Sequence, residues 1–142
     1  MKTCIVLGGA ACVWDDLEQA KEFGPFDAII AINDMLAHYQ GEIDFAVSLH
    51  PEKYGEWIQQ RDGQGFSRPK TFVAHDGNTQ MGRNAAYPVG IIMDYRWPGM
   101  GGSGSSGLFA VKLAIEQGFD RIILCGVPMD GKRQYIGSAT EA

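Results

Sequence analysis

Glycines and polar side chains stand directly after the short apolar runs of this sequence. They are Gly8, Gly9, Asn33, Asp34, His50, His75, Asp76 and Gly126. Backbone N–H groups of glycine and the side chains of Asn and His can hydrogen-bond to a phosphate or a sugar. If the apolar runs are parallel strands, these residues share the sheet edge at which open α/β proteins bind ligands. We therefore expect one binding site at the carboxyl ends of the strands.

The clearest anion-binding pattern is the segment 101–107, which reads GGSGSSG. It precedes a stretch in which apolar residues recur at helical spacing. Unpaired N–H groups and the helix dipole favour a phosphate at a helix N-terminus. Ser105 or Ser106 could cap the helix or donate to the anion, and Gly107 would allow close approach. The alternative is a flexible linker with an N-cap. A P-loop ATPase is disfavoured because the GK[ST] ending is missing.

The first glycine pair is a weaker pattern. The segment Gly8–Trp14, GGAACVW, keeps the tight turn of a dinucleotide-binding loop but lacks its third glycine. No acidic residue follows at the spacing that recognises a ribose. We predict that Gly8, Gly9 and Ala10 contact the ligand. A tight strand-to-helix turn without a ligand is the alternative.

Candidate acid–base groups are few. His50 and His75 each follow an apolar run, and Asp130 lies in a loop near the C-terminus. We name His50 and Asp130 as candidate bases, although isolated histidines more often hydrogen-bond locally than catalyse. Asp15 and Asp16 are better explained as favourable charges in the first turn of a helix.

The elements that must position these residues alternate along the chain. Near-continuous apolar runs predict strands, and 3.6-residue periodicity between them predicts helices. The predicted strands are 4–7, 28–32, 45–49, 71–74, 89–93 and 120–125; the predicted helices are 15–23, 51–61 and one from about residue 105 to Gly118. This alternation predicts one α/β domain over residues 1–142, a Rossmann-like, mainly parallel sheet with helices on both faces. The irregular stretch 77–104 predicts a functional loop.

Composition excludes several classes of protein. The chain has 142 residues, 45% hydrophobic and 20% charged, as in ordinary globular domains. The net charge is -5 with scattered basic residues, which argues against polymeric nucleic acid as a partner. No apolar stretch is long enough to span a membrane, so we expect a cytoplasmic protein. The three cysteines lack CxxC spacing and predict reduced core thiols. No metal or cofactor is predicted besides a nucleotide or nucleotide sugar as ligand.

Two segments together resemble the nucleotide-binding core of bacterial family 42 sialyltransferases and the related 6-hydroxymethylpterin diphosphokinase-like proteins. The first is IVLGGAACV at 5–13, with Phe26-Asp27 and Ile32-Asn33. The second is SSGLF at 105–109, with GFDRIILCG at 118–126. Short chains of this type also resemble bacteriophage-encoded proteins.

The resemblance implies that Gly8, Gly9 and Ala10 approach the phosphate or sugar of a CMP-like nucleotide. It places further residues around the same ligand: Asn33, His50, Ser105, Ser106, Gly107 and Gly126. Two positions depart from the family, which has an Asn at His50 and an Asp at Pro128. The chain also ends before the segment that would supply the family's catalytic histidine. The resemblance therefore implies binding more strongly than catalysis.

From the residues and the resemblance we expect a protein that binds a nucleotide or nucleotide sugar. If it is an enzyme, it transfers a glycosyl or other group from a phosphate leaving group, with His50 or Asp130 activating the acceptor. The alternative is a non-enzymatic protein that sequesters the nucleotide. A structural protein that keeps the fold for subunit contacts is a third class, and a homo-oligomer is compatible with each.

Overall fold

The computed structural model describes residues 1–75, 87–99 and 105–127. The strands in these ranges are β1 (Thr3–Leu7), β2 (Ala28–Ile32), β3 (Phe45–Val47), β4 (Thr71–His75), β5 (Ile91–Met93) and β6 (Arg121–Cys125). The α-helices are α1 (Val13–Ala20), α2 (Met35–His38), α3 (Tyr54–Gly63) and α4 (Ser106–Glu116), with 3-10 turns at Lys21–Phe23 and Pro51–Lys53.

The strands form one all-parallel sheet in the order β5-β4-β3-β2-β1-β6. The predicted α/β, Rossmann-like fold is confirmed. In β1, Val6 lies beside Ile30 of β2 on one side and beside Leu124 of β6 on the other. The chain therefore builds the sheet outward from β1 to β5 and then returns to the opposite side of β1. The strand order reverses between β1 and β6.

Helices cover both faces of the sheet. Alternate residues of a strand point to opposite faces, so Ile5 and Leu7 pack in one core with residues of α1, α2 and α3. Cys4 and Val6 pack in the other core with Phe109 and other residues of α4. Helix α4 contacts β3, β2 and β1. It belongs to the connection that carries the chain from β5 at one edge of the sheet to β6 at the other. Among the helices of the described ranges, none has the length and apolar character needed to cross a bilayer.

Most predicted elements are present, with changes at their ends. β3 stops at Val47, two residues earlier than predicted, and β5 is only three residues long. Helix α1 begins at Val13 and gives way to a 3-10 turn after Ala20. The single turn α2 was not predicted, because four residues are too few to show helical periodicity.

Aspartates cap the amino ends of the strands. Asp27, just before β2, accepts the N–H of Thr3 at 2.7 Å. Asp44, just before β3, accepts the N–H of Ile29 at 2.8 Å, and Asp120 accepts that of Lys2 at 2.8 Å. Each carboxylate thus pairs a backbone donor of the neighbouring strand and helps to fix the alignment of adjacent strands.

Arg61 ties α3 to the segment that follows α2. Its side chain is 0% exposed, and its guanidinium donates to four backbone carbonyls. The acceptors are Leu36 at 3.1 Å, Gly41 at 2.7 Å, Tyr39 and Ser67. A guanidinium carries five N–H donors in a fixed planar geometry, so it can pair several carbonyls of one irregular segment at once. Burial lowers the pKa of Arg61 below its ordinary value.

Arg61→Met should lower the free energy of unfolding by about 3 kcal/mol, because the buried carbonyls lose their donors while most of the side-chain volume remains. Urea denaturation measures the change. Arg68→Met is the matched control, since Arg68 is half-exposed and pairs with Asp62 at 2.6 Å at the surface. It should change stability little. Equal losses in the two variants would contradict a special role for Arg61.

Candidate functional site at the carboxyl edge

The residues that follow β1, β2, β3 and β6 meet at one edge of the sheet, here called the carboxyl edge. The N–H of Gly8 donates to the carbonyl of Cys125 at 2.8 Å, and the N–H of Asn33 donates to that of Val47 at 3.1 Å. Gly8, Asn33 and Gly126, predicted from their positions after strands, therefore lie along one line of neighbouring strands.

A chain of hydrogen bonds joins β2, β3 and α4 at this edge. Oδ1 of Asn33 accepts from the hydroxyls of Ser48 at 2.7 Å and Ser106 at 3.2 Å. Each serine oxygen in turn accepts a backbone N–H, from His50 at 2.9 Å and from Leu49 at 3.2 Å. We call these groups the Asn33 network. Because both hydroxyls donate to Oδ1, Nδ2 of Asn33 is left as a donor with no acceptor among the described residues.

The backbone of Asn33 is also unusual. Its φ of +54° lies in the left-handed region. Asn enters this region more readily than most residues. The conformation turns the chain sharply from β2 into α2 while the side chain stays in the network.

Helix α4 begins beside the network. The hydroxyl of Ser105 accepts the N–H of Leu108 at 3.0 Å, so Ser105 is the N-cap. The N–H groups of Ser106 and Gly107 have no acceptor in the described parts of the chain. Two free backbone donors, the helix dipole and Nδ2 of Asn33 are the groups here that can hold an anion.

The loop between β1 and α1 is already engaged with β6. Ala10 donates its N–H to the carbonyl of Gly126 at 3.1 Å. Asp16 accepts the N–H of Gly126 at 2.8 Å, so a carboxylate of the chain itself occupies the position an anion would take. These contacts favour the tight turn over a phosphate loop at this end. Contact of Gly8, Gly9, Ala10 and Gly126 with a ligand stays a prediction.

Val127 packs between Gly8, which follows β1, and Gly107, in the first turn of α4. A Cβ on Gly8 would lie 2.7 Å from Cγ2 of Val127, and one on Gly107 would lie 3.0 Å from its Cγ1. The glycine at position 107 therefore leaves room for the side chain of Val127. Substitution of Gly107 by Val, the obvious test of a phosphate loop, would disturb this packing as well as any ligand contact.

His50 contributes its backbone to the network and leaves its imidazole outside. Its Nδ1 lies 3.5 Å from Oε2 of Glu52, and both side chains are largely exposed. A carboxylate that holds Nδ1 leaves Nε2 of a histidine to exchange a proton, the arrangement of many general bases. Asp130, the other candidate base, lies outside the described residues.

Burial raises the pKa of several titratable groups of the domain. Burial is the main cause that raises the pKa of Asp34, and His38 opposes it. Burial raises the pKa of Cys125 to about 11 and that of Cys4 to about 12. Cys12 is exposed, unlike the predicted core thiol, and burial together with Asp16 raises its pKa. Within the described part of the chain no His, Cys, Asp or Glu residues form a metal-binding cluster.

A groove of ≈ 450 Å³ lies apart from the predicted site residues, none of which lines it. Trp14 and Leu17 of α1, Phe26, and Tyr39 after α2 form much of its wall. It is thus a second concave surface, on the α1 and α2 side of the sheet.

Sequence reasoning missed three residues of this region. Ser48 was assigned to the third strand, although a serine at a strand end is a common partner for nearby backbone N–H groups. Glu52 was assigned to the start of a predicted helix. Only its distance of 3.5 Å from Nδ1 of His50 identifies it as a partner of that imidazole. Val127 has no sequence pattern that would predict its place between two loops.

Gly126→Ala should lower the free energy of unfolding by about 3 kcal/mol or more. The φ of Gly126 is +72°, and an added Cβ would lie 2.5 Å from the carbonyl oxygen of Gly8 and 2.6 Å from Cβ of Val13. Gly118→Ala is the control, because its φ is +86° but nothing lies within 4 Å of the added Cβ. It should cost about 1 kcal/mol, the left-handed strain alone. Thermal or urea unfolding gives both values, and similar losses would refute the close approach of β1 and β6.

The comparisons with known proteins add nothing to this geometry. No protein-family model, curated protein or solved structure matches the chain. The resemblance to family 42 sialyltransferases and to 6-hydroxymethylpterin diphosphokinase-like proteins therefore stays a prediction, and the site rests on the contacts of the carboxyl edge.

Proposed function

We propose that this domain binds a nucleotide or nucleotide sugar, with the phosphate between the N-terminus of α4 and the side chain of Asn33. The observation that carries the proposal is the pair of serine hydroxyls that both donate to Oδ1 of Asn33. They orient the amide so that Nδ2 is available as a donor beside the N–H groups of Ser106 and Gly107. Three neutral donors and a helix dipole in this region suit a phosphate.

Charge supports this end of the carboxyl edge over the other. Asp15 and Asp16 lie in the first turn of α1, and their charges oppose a phosphate at the Gly8–Ala10 loop. The first turn of α4 has no acidic residue. A phosphate should therefore prefer α4, and Gly8, Gly9 and Ala10 would contact the sugar or the far side of the ligand.

A transferase activity would use His50. In glycosyl transfer from a nucleotide sugar, the base takes the proton of the acceptor hydroxyl, the acceptor oxygen bonds to the sugar carbon, and the phosphate leaves with the electron pair of the broken C–O bond. Glu52 would hold Nδ1 of His50 and leave Nε2 to take the proton. The N–H groups at α4 would stabilise the charge that develops on the leaving phosphate. Asp130 is the second candidate for the same base.

A protein that sequesters the nucleotide without reaction is the alternative. It is favoured by the composition of the Asn33 network, whose side chains are an amide and two hydroxyls and which contributes only the backbone of His50. Such a site can hold an anion without any proton transfer.

Asn33→Asp should weaken CMP binding at least tenfold, because the carboxylate replaces the Nδ2 donor with a charge that repels the phosphate. The fold should persist, since Oδ1 still accepts from both serines and Asp also tolerates a positive φ. Isothermal titration with CMP and thermal unfolding measure the two effects.

Gln40→Glu is the matched control, since it adds the same charge at an exposed position away from the network. It should leave CMP affinity unchanged. If Asn33→Asp bound CMP as tightly as the parent, the phosphate site at Asn33 would be wrong. If the parent showed neither heat of binding nor a ligand-induced rise in unfolding temperature with CMP or CMP-sugars, the proposed function would fall.

His50→Ala should lower turnover of a CMP-sugar by a factor of about 10² to 10⁴ while CMP binding largely persists. Glu52→Gln should cause a smaller fall, because it only weakens the orientation of the imidazole. His38→Ala removes an imidazole elsewhere on the surface and serves as the control. Product analysis by mass spectrometry gives the rates. Parent-level turnover in His50→Ala would eliminate His50 as the base, and a parent without turnover that still binds CMP would favour the sequestering protein.

A further inference from the structure

His75 ends β4 at the carboxyl edge and is 7% exposed. Its ring packs edge-on against Tyr95, with centroids 5.2 Å apart, and Tyr95 packs in the same way against Phe109 in the first turns of α4. The imidazole is therefore buried on the α4 side of the sheet, in a wall of aromatic rings.

Nδ1 of this imidazole is shielded from solvent and has no hydrogen-bond partner among the described residues. Buried polar atoms in folded proteins nearly always have one, so an exception points to a group that is supplied from outside the fold. No other buried side-chain nitrogen or oxygen in the described ranges shares this property.

The position of His75 relates it to the Asn33 network. Val47, the last residue of β3, lies beside Val73 of β4, and β4 continues two residues further along the same direction to His75. The N–H of Leu49 donates to Oγ of Ser106, at the start of α4. Neighbouring strands are about 4.8 Å apart, so His75 lies one strand beyond the groups that would hold a phosphate.

The segment after β5, which carries Tyr95, is anchored on α4, and the Tyr95 side chain is half-buried. Nζ of Lys112 donates to the carbonyls of Asp94 at 2.8 Å and Arg96 at 2.7 Å. Nε1 of Trp97 donates to the carbonyl of Leu108 at 3.2 Å. These bonds fix the backbone of the segment after β5 on α4.

We propose that His75 is a specificity-determining residue of the carboxyl-edge site, whose Nδ1 hydrogen-bonds to the nucleoside part of the ligand after Tyr95 turns aside. This inference rests on the proposed function and assigns the far end of the ligand. The phosphate lies at α4 and Asn33, and the sugar or base extends over β3 to β4. Trp97 anchors the segment that carries Tyr95 on α4.

The test compares the parent, His75→Phe and the control His38→Phe with three probes: CMP, cytidine and inorganic phosphate. Phe keeps the ring and its contact with Tyr95 but removes the nitrogen. His75→Phe should weaken CMP and cytidine about tenfold and leave phosphate affinity unchanged. Its unfolding temperature without ligand should equal or exceed that of the parent, because a buried nitrogen without a partner is removed. His38→Phe should behave as the parent does.

A parent that binds CMP and a His75→Phe variant that binds it equally well would overturn this inference alone. A variant that loses several degrees of unfolding temperature would also overturn it, since His75 would then bond to the protein itself. A parent that binds neither CMP nor phosphate would overturn the proposed function. If His75→Phe does not fold, ¹⁵N-histidine spectra of the parent decide: the Nδ1 resonance of His75 should shift with cytidine and CMP and stay in place with phosphate, and no shift with any nucleoside refutes the contact.

Discussion

β1 is paired on both sides and buried on both faces, and this double constraint determines much of the molecule. Its partner β6 must lie close enough for the ends of the two strands to touch, so the chain has glycine at both Gly8 and Gly126, where a Cβ would meet the opposite carbonyl oxygen at 2.5 Å. Once β6 is in place, Asp16 binds the N–H of Gly126 and fixes the start of α1. Val127 then enters the gap between the ends of β1 and α4. The loop after β1 and the start of α4 are thereby held in relation to each other.

The carboxyl edge consequently has two halves with different properties. At β1 and β6, the N–H groups of Gly8, Ala10 and Gly126 are paired within the protein, and the carboxylate of Asp16 lies among them. At β2, β3 and α4, side chains satisfy one another through oxygen atoms and leave N–H groups unpaired. A ligand gains most where its acceptors meet donors that the fold has already oriented and has not used. The strand-order reversal between β1 and β6 is the usual place for a ligand in such sheets, whereas the Asn33 network lies beside it, over β2 and β3.

The sheet was predictable from the sequence because strands buried on both faces appear as continuous apolar runs, as in Ala28–Ile32. The edge strand Arg121–Cys125 contains a similar apolar run, although only Cys125 of its residues is buried. The ends of the strands were less predictable. Ser48 leaves the sheet because its hydroxyl bonds to the N–H of His50 and to Asn33, a competition that apolarity does not reveal. The polar residues at the edge were predictable because parallel strands end together. The hydrogen bond from Gly126 to Asp16 joins segments that are distant in sequence, and so does the packing that buries Nδ1 of His75. No local sequence pattern could therefore predict either of them.

Backbone N–H groups hold carboxylates at both edges of the sheet, as at Asp27 and at Asp16. Asp27 and Asp120 are held by backbone N–H groups, whereas Asp44 is partly neutralised by Lys70 at 3.3 Å. At the carboxyl edge Asp15 and Asp16 lie in the first turn of α1, whereas the first turn of α4 has no acidic residue and presents the positive end of the helix dipole. With a net charge of -5, the protein repels anions in general, and the dipole of α4 opposes that repulsion at its N-terminus. If the domain binds a nucleotide as proposed, this local field would favour an encounter with the phosphate first.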